Sequence, residues 1–152
     1  MLRDAINTAL KDAMKAGDAK RVSTLRLVNS AIKNADIEAR GEGEPPLSDE
    51  ALLSLLQKMI KQRQESVELY QKGGRADLVA QEQGEIEVIA SYLPRQMSEA
   101  EIAATVAALV KETGATAMKD MGKVMAAIKE RYAGKLDTAK ASAAVKKLLS
   151  GG

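Results

Sequence analysis

The chain contains no cysteine, no histidine, no phenylalanine and no tryptophan. Each absence removes a class of chemistry or of fold. Without thiols there are no disulfides and no thiolate metal sites, which fits a reducing compartment. Without imidazole the commonest general base, the commonest zinc ligand and the usual partner of a nucleophilic serine are all missing. Most hydrolase chemistry goes with them. Aromatic residues are reduced to three tyrosines, so a core must be built from Leu, Ile, Val, Met and Ala. Such cores suit helices better than β-sandwiches, which lean on aromatic and β-branched side chains. Proline stands only at Pro45, Pro46 and Pro94, leaving long stretches free of helix breakers. No apolar run approaches the roughly 18 residues of a membrane span. The opening "MLRDAINTALKDAMK" mixes both charge signs, unlike a secretory signal. The resulting expectation is a soluble cytoplasmic protein with no membrane partner.

What is present is helical periodicity. The 152 residues are 45% hydrophobic, enough for one medium domain or two small ones. Leu2, Ile6, Ala9, Leu10 and Ala13 share a face of a first helix that Gly17 stops. Asp18 caps a second, running to about Arg40, with Val22, Leu25, Val28, Ile32 and Ala35 at helical spacing. "GEGEPP" at 41–46 is a loop by composition. Ser48 caps a third helix carrying Leu52, Leu56, Met59, Ile60, Val67 and Tyr70, ended by Gly73 and Gly74. A fourth holds Leu78, Val79, Ile86, Ile89 and Leu93 before Pro94. Then Ser98 and Glu101 have the spacing of a capping box, with Met97 and Ile102 at the staple positions. That helix shows Val106, Leu109 and Val110 and ends at Gly114. Met121, Val124, Met125, Ile128 and Tyr132 define the next, and Asp137 caps the last, with Ala141, Val145, Leu148 and Leu149. No segment alternates with period two. The fold class is all-α, multihelical.

The best boundary lies at residues 94–97. It separates an N-terminal helical part, 1–94, with about four helices from a C-terminal three-helix part, 95–152. Charge divides there too. The first part has 13 Lys/Arg against 15 Asp/Glu, and the second 10 against 6. The smaller half is the basic one.

Few residues suggest chemistry. Glu82, Glu85 and Glu87 crowd "EQGEIE", and Glu82 and Glu85 share a helix face, but acid–base work needs burial to raise one pKa. They read as a solvated face opposite Ile86 and Ile89. A carboxylate metal site would need ligands converging from separate elements. No P-loop or G-x-G-x-x-G occurs, and no strand precedes a glycine run. Lys58, Lys61 and Arg63 also read as a solvated face, with Lys58–Gln62 and Lys61–Glu65 as i, i+4 pairs. Met59, Met121 and Met125 fall on apolar stripes and read as core filling rather than as a promiscuous binding surface. No catalytic residue, cofactor or metal is expected.

The strip "MGKVMAAIKERYAGKLD" (121–137) is the exception. Met121, Val124, Met125, Ile128 and Tyr132 make one stripe, so Lys123, with Lys119 just upstream, faces away from it. Lys129 shares a flank with Gly122, whose missing Cβ lets a backbone approach. Lys135 follows Gly134 in a turn. With Lys140, Lys146 and Lys147 these could form a cationic surface on which each neutralised phosphate adds a salt-dependent increment of affinity. Two features oppose this. Asp137 occupies the N-cap where a phosphate would otherwise bind, and no aromatic platform accompanies the lysines. The candidate RNA contacts are Lys119, Gly122, Lys123, Lys129, Gly134 and Lys135.

The stretch "MGKVMAAIKERYAGKLDTAKASAAVKKLL" resembles the C-terminal tail domain of the B subunit of tRNA-dependent amidotransferases, the GatB family. "STLRLVNSAIKNADIEAR", "KQRQESVELYQKGGRADL" and "EIEVIASYLPRQMSEAEI" resemble the stand-alone YqeY-like proteins, which consist of that module and little else. The likeness runs over nearly the whole chain. It departs where the family turn more often reads Gly-Arg/Lys-Ala-Asp-Gly, since here Leu136 and Thr138 flank Asp137. The resemblance implies an all-α protein with a larger N-terminal and a smaller three-helix C-terminal part. In the amidotransferase the module helps hold misacylated Glu-tRNA or Asp-tRNA while other domains amidate it with glutamine-derived ammonia. A family-level label would therefore be carbon–nitrogen ligase with glutamine as amido-N-donor. The chain shows neither the β-rich kinase-like domain nor a Cys or Ser–Lys apparatus for glutamine hydrolysis, so what carries over is binding. The expectation is a tRNA- or RNA-binding accessory module. The alternative is an adaptor docking on an amidotransferase or aminoacyl-tRNA synthetase, and a third reading is an enzyme using Glu82 or Glu85.

Overall fold

The computed structural model describes residues 1–150, and all regular structure among them is helical. Seven α-helices follow in order: α1 Leu2–Ala16, α2 Ala19–Gly41, α3 Asp49–Lys72, α4 Ala76–Ala90, α5 Glu99–Thr113, α6 Met121–Tyr132 and α7 Thr138–Leu149. The chain divides into two compact units, Met1–Leu93 and Pro94 onward. Four α-helices lie in the first. Three lie in the second, with a short 3-10 turn, Met118–Asp120, leading into α6.

The boundaries follow from local chemistry. Gly17, at φ 70°, takes the left-handed conformation that ends α1. The Asp18 carboxylate accepts from the Arg21 N–H, and Ser48 Oγ from the Ala51 N–H, so α2 and α3 open with an orphan donor satisfied. Ser98 and Glu101 form a reciprocal capping box at the start of α5. Asp137 accepts from the Ala139 and Lys140 N–H groups at the start of α7. The 3-10 turn was not legible from apolar spacing. It forms because the Asp120 carboxylate turns back to accept from the Thr116 and Ala117 N–H groups at 3.0 and 3.3 Å.

In the first unit Ile6 and Ala13 of α1, Leu25, Val28 and Ile32 of α2, Leu52, Leu56 and Met59 of α3, and Ile89 of α4 form one buried cluster. That core occupies only one end of the α3–α4 pair. Between Met59 and Ile89 no side chain is fully buried. There the pair is joined by an ion pair, Arg63 Nε to Glu85 Oε2 at 2.8 Å, with both side chains about 15% exposed. Arg63 also donates to the Met59 carbonyl. Sequence reasoning placed both residues on solvated faces, and the structure corrects this. Positions i, i+3 along one helix do not reveal a partner on the next. Conversely, Lys61 and Glu65 form no salt bridge among the described residues.

The second unit has its own cluster. Ile102, Val106 and Leu109 of α5 meet Val124 and Ile128 of α6 and Ala141, Val145 and Leu149 of α7, with Leu136 from the connecting turn. Met97, Met121, Met125 and Tyr132 pack against its edge. The methionines Met59, Met121 and Met125 thus serve the cores, as their spacing indicated.

Candidate nucleic-acid interface

The six residues singled out in the sequence all lie on or beside α6. Lys119, Lys123, Lys129 and Lys135 are exposed, Lys123 and Lys129 because they stand off the apolar stripe of α6. They do not converge. At about 100° per residue Lys123 and Lys129 project on sides of α6 roughly 120° apart. Lys119 precedes the helix and Lys135 follows it, so some 18 Å of helix axis lies between them. Lys123 and Lys129 flank the solvent-facing side of α6, whose other side is buried against α5 and α7, and Lys119 and Lys135 lie beyond its ends.

The two glycines differ. Gly122 is exposed, and nothing within 4 Å would oppose a Cβ there, so the backbone is open to an approaching ligand. Gly134 is buried, with φ 75°. Its carbonyl accepts from Gln96 Nε2 at 2.6 Å, and the neighbouring Lys135 carbonyl accepts from the Met97 N–H at 2.7 Å. Gly134 is therefore the pivot of a turn pinned to the segment before α5, and no ligand backbone can reach it. The positive φ, which only glycine adopts without strain, explains its presence.

The electrostatics of this unit turn on where its carboxylates go. Glu112 forms a two-point bridge with Arg131 at 2.7 and 2.8 Å. This contact holds the carboxyl below the usual carboxylate range and pushes the guanidinium up. Glu101 caps the Ser98 N–H, which lowers its pKa, and also meets Arg95 at 3.1 Å. Glu99 reaches Lys140 at 3.3 Å. Asp120 and Asp137 are committed to backbone N–H groups. For Asp120 the Thr116 and Ala117 amides lower the pKa, so a carboxylate persists beside Lys119 and Lys123. Of the six acids only Glu130 has neither a hydrogen bond nor a salt bridge from its carboxylate among the described residues, although its charge acts on Arg131, and it projects within about 20° of Lys123 around α6. Lys111, Lys119, Lys123, Lys129, Lys135, Lys146 and Lys147 take part in no salt bridge among the described residues.

Elsewhere the structure offers less. Glu82 is half-buried and Glu85 is held by Arg63, so the two carboxylates are not arranged as a pair. Among the described residues no group of three or more acidic side chains could hold a metal ion, and no helix is long and apolar enough to cross a membrane. Sequence reading missed one polar constellation. Asn29, Lys33, Asp36 and Arg40 recur at i, i+4, i+7 and i+11 on α2, which puts them on one face of the helix.

With this geometry in hand, comparison with known proteins gives a consistent answer. The Yqey-like protein family matches residues 3–149, and the chain belongs to that family. Among curated proteins it is 45% identical over 105 residues to "Altered inheritance of mitochondria protein 41, mitochondrial" of Lachancea thermotolerans, covering 68% of this chain and 54% of the relative. The protein of the same name from Eremothecium gossypii is 39% identical over 84 residues, covering 55% and 44%. That from Pyrenophora tritici-repentis is 34% identical over 128 residues, covering 80% and 68%. The chain thus spans about half the length of the first two. These relatives are named as mitochondrial, which overturns the expectation of a cytoplasmic protein. Composition and the lack of a membrane span do not distinguish one aqueous compartment from another.

Proposed function

We propose that this member of the Yqey-like family is a non-catalytic accessory protein that binds RNA, and tRNA in particular, through the C-terminal unit. The observation that carries the reading is the division of charge in that unit. Five of its six carboxylates are engaged in caps or ion pairs, while seven lysines have no salt bridge among the described residues. No ion pair has to be broken for a phosphate to reach these lysines, although Asp120 lies beside Lys119 and Lys123, and each lysine so neutralised releases a counterion. Lys119, Lys123, Lys129 and Lys135 are the proposed phosphate contacts, with Gly122 as the point of close approach. Their dispersal around α6 suits a curved polyanion better than a small ligand. The resemblance of residues 121–149 to the amidotransferase tail supports tRNA among RNAs. The names of the relatives support a mitochondrial setting.

The test is fluorescence anisotropy with tRNA and an unrelated hairpin RNA across a salt series. Tighter binding to tRNA with a log–log slope of several units is expected. Lys123→Glu with Lys135→Glu should weaken binding about tenfold or more and reduce the slope by about 2, without loss of helicity. Unchanged affinity in that double variant overturns the assignment.

A second reading has its own observation. The outer half of the α3–α4 pair leaves Leu69 67% exposed beside half-buried Val67 and Tyr70, which favours an adaptor docking on an amidotransferase or aminoacyl-tRNA synthetase. Salt-insensitive association with such a purified enzyme, with no RNA present, would select it.

A further inference from the structure

The polar stripe of α2 faces a matching pair on α1. Arg3 and Asn7, one turn apart, meet Asp36 and Asn29 to make two cross-helix rungs. In the first rung Arg3 Nη1 and Nη2 donate to the two Asp36 oxygens at 2.6 and 2.7 Å. Leu47 locks this rung from the side. Its carbonyl accepts from Arg3 Nη2 at 2.9 Å, and its N–H donates to Asp36 Oδ1 at 3.0 Å. In the second rung Asn29 Nδ2 donates to Asn7 Oδ1 at 3.2 Å.

Between and beyond the rungs lies a cleft of about 710 Å³, within the range of small-ligand sites. Ile32, 6% exposed, Ile37, 58% exposed, and Pro46 give it an apolar lining. Lys33 and Arg40 also line it, and neither takes part in a salt bridge among the described residues. Glu44 is the one further acid on its wall. Because Arg3 and Asp36 neutralise one another, Lys33 and Arg40 outweigh Glu44 by one positive charge.

We infer that this cleft binds a nucleotide unit, with the base against the Asn7–Asn29 rung and the phosphate between Lys33 and Arg40. The rung leaves the Asn7 Nδ2 hydrogens as donors and Asn29 Oδ1 as an acceptor. A donor and an acceptor on one rung match, in kind, a base edge that pairs an acceptor ring nitrogen with a donor amino group, as adenine does. Ile32, Ile37 and Pro46 supply apolar surface for the base. Lys33 lies one turn from Asn29 and Arg40 two further turns along the same face, about 6 and 10 Å respectively. The chemistry is that of a nucleotide whose base carries an amino group beside a ring nitrogen, with adenylate as its representative, either free or at the end of an RNA chain. This inference uses none of the lysines of the C-terminal unit.

The experiment is a titration of the isotopically labelled full chain, followed by amide resonances, with adenosine 5′-monophosphate as probe. Adenosine and inorganic phosphate are the controls. Adenosine monophosphate should move the Asn7 and Asn29 side-chain amides and the backbone of residues 33–40, and should bind more tightly than either control. Asn29→Ala should weaken it at least tenfold, as should Lys33→Gln with Arg40→Gln. These positions are exposed or half-buried, so the variants should keep the unfolding temperature of the parent. Lys123→Glu with Lys135→Glu should leave this binding unchanged, whatever it does to tRNA. A short single-stranded RNA ending in adenosine, added to that charge-reversed variant, identifies the source. Competition with the mononucleotide assigns the cleft to an RNA end, and failure to compete assigns it to free nucleotides. Absence of shifts at these residues overturns the inference, as does an identical response to phosphate alone.

Discussion

Asp36→Asn tests how the first unit is held together. The carboxylate accepts three hydrogen bonds, two from Arg3 and one from the Leu47 N–H. An asparagine of the same shape has only one oxygen. Whichever way its amide turns, the NH₂ faces a donor, so the substitution removes the charge and creates a donor–donor conflict. Hydrogen bonds to charged groups contribute about 1.5–3 kcal/mol each. The Arg3 and Asp36 side chains are 32% and 25% exposed, so water competes, and the whole loss is discounted to about 2 kcal/mol. For a unit of this size that lowers Tm by roughly 8–16 °C. Urea unfolding of Asp36→Asn, Arg3→Met and the double variant forms the cycle, with an expected coupling of about 1.5 kcal/mol. Coupling below about 0.5 kcal/mol would place the pair with ordinary surface bridges and refute the locking role. The pH dependence has a definite sign. Arg3, then the Leu47 amide, depress the Asp36 pKa below 3.8. The contribution is thus fully present above that ordinary value and is lost as pH falls through the lower folded-state value. Asp36→Asn should lack this part of the acid transition.

Leu109→Ala removes a side chain that is 2% exposed in the second core and should cost about 3 kcal/mol in urea unfolding, given the cavity left behind. Ser98→Ala removes half of a capping box and should cost about 1 kcal/mol, with the N-terminal turn of α5 losing amide protection first. In hydrogen exchange, α3–α4 amides between Arg63 and Glu85 should exchange faster than those near Leu52, Leu56 and Ile89, because no fully buried apolar side chain lies in that span. Equal protection along the hairpin would mean that the Arg63–Glu85 ion pair supports the outer half by itself.

The parts of the fold that were legible are those written in local chemistry. Ser98 and Glu101 sit three residues apart and satisfy each other's donors, Asp137 caps the helix it immediately precedes, and Gly114 takes the left-handed conformation at the end of α5. Each depends on neighbours within four residues. The ion pairs were not legible, because Arg3–Asp36 and Arg63–Glu85 join residues 33 and 22 positions apart and nothing in the order of residues names the partner. The glycines of the basic strip show the same limit. Composition gives Gly122 and Gly134 equal standing, yet Gly122 stays open on the flank of α6 while Gly134 is consumed by the hydrogen bond from Gln96. Lys123 and Lys129 lie in solvent as expected, since an apolar stripe fixes where its helix's remaining positions point; Lys119 and Lys135 are exposed in the turns on either side. Their failure to converge follows from the same periodicity, which puts residues six apart on different sides.

That dispersal separates the two surfaces by a measurable property. The lysines on and beside α6 are dispersed point charges rather than the lining of one pocket, so on the reading proposed above they would respond mainly to charge and curvature. Under the proposed function, RNA binding there would be salt-steep and tolerant of sequence. The α1–α2 cleft has the opposite construction. Its amides are set in place by rungs, its lining is partly apolar and its net charge is one, so the inferred nucleotide binding would be salt-shallow and selective for the base. A polyanion that used both would show two regimes in one titration. Raising the salt would remove the contribution of Lys123 and Lys135 first, and the residual affinity would depend on Asn29 and not on α6. A single steep regime abolished by the α6 reversals would assign all nucleic-acid binding to the C-terminal unit, and the cleft would then hold no part of the RNA.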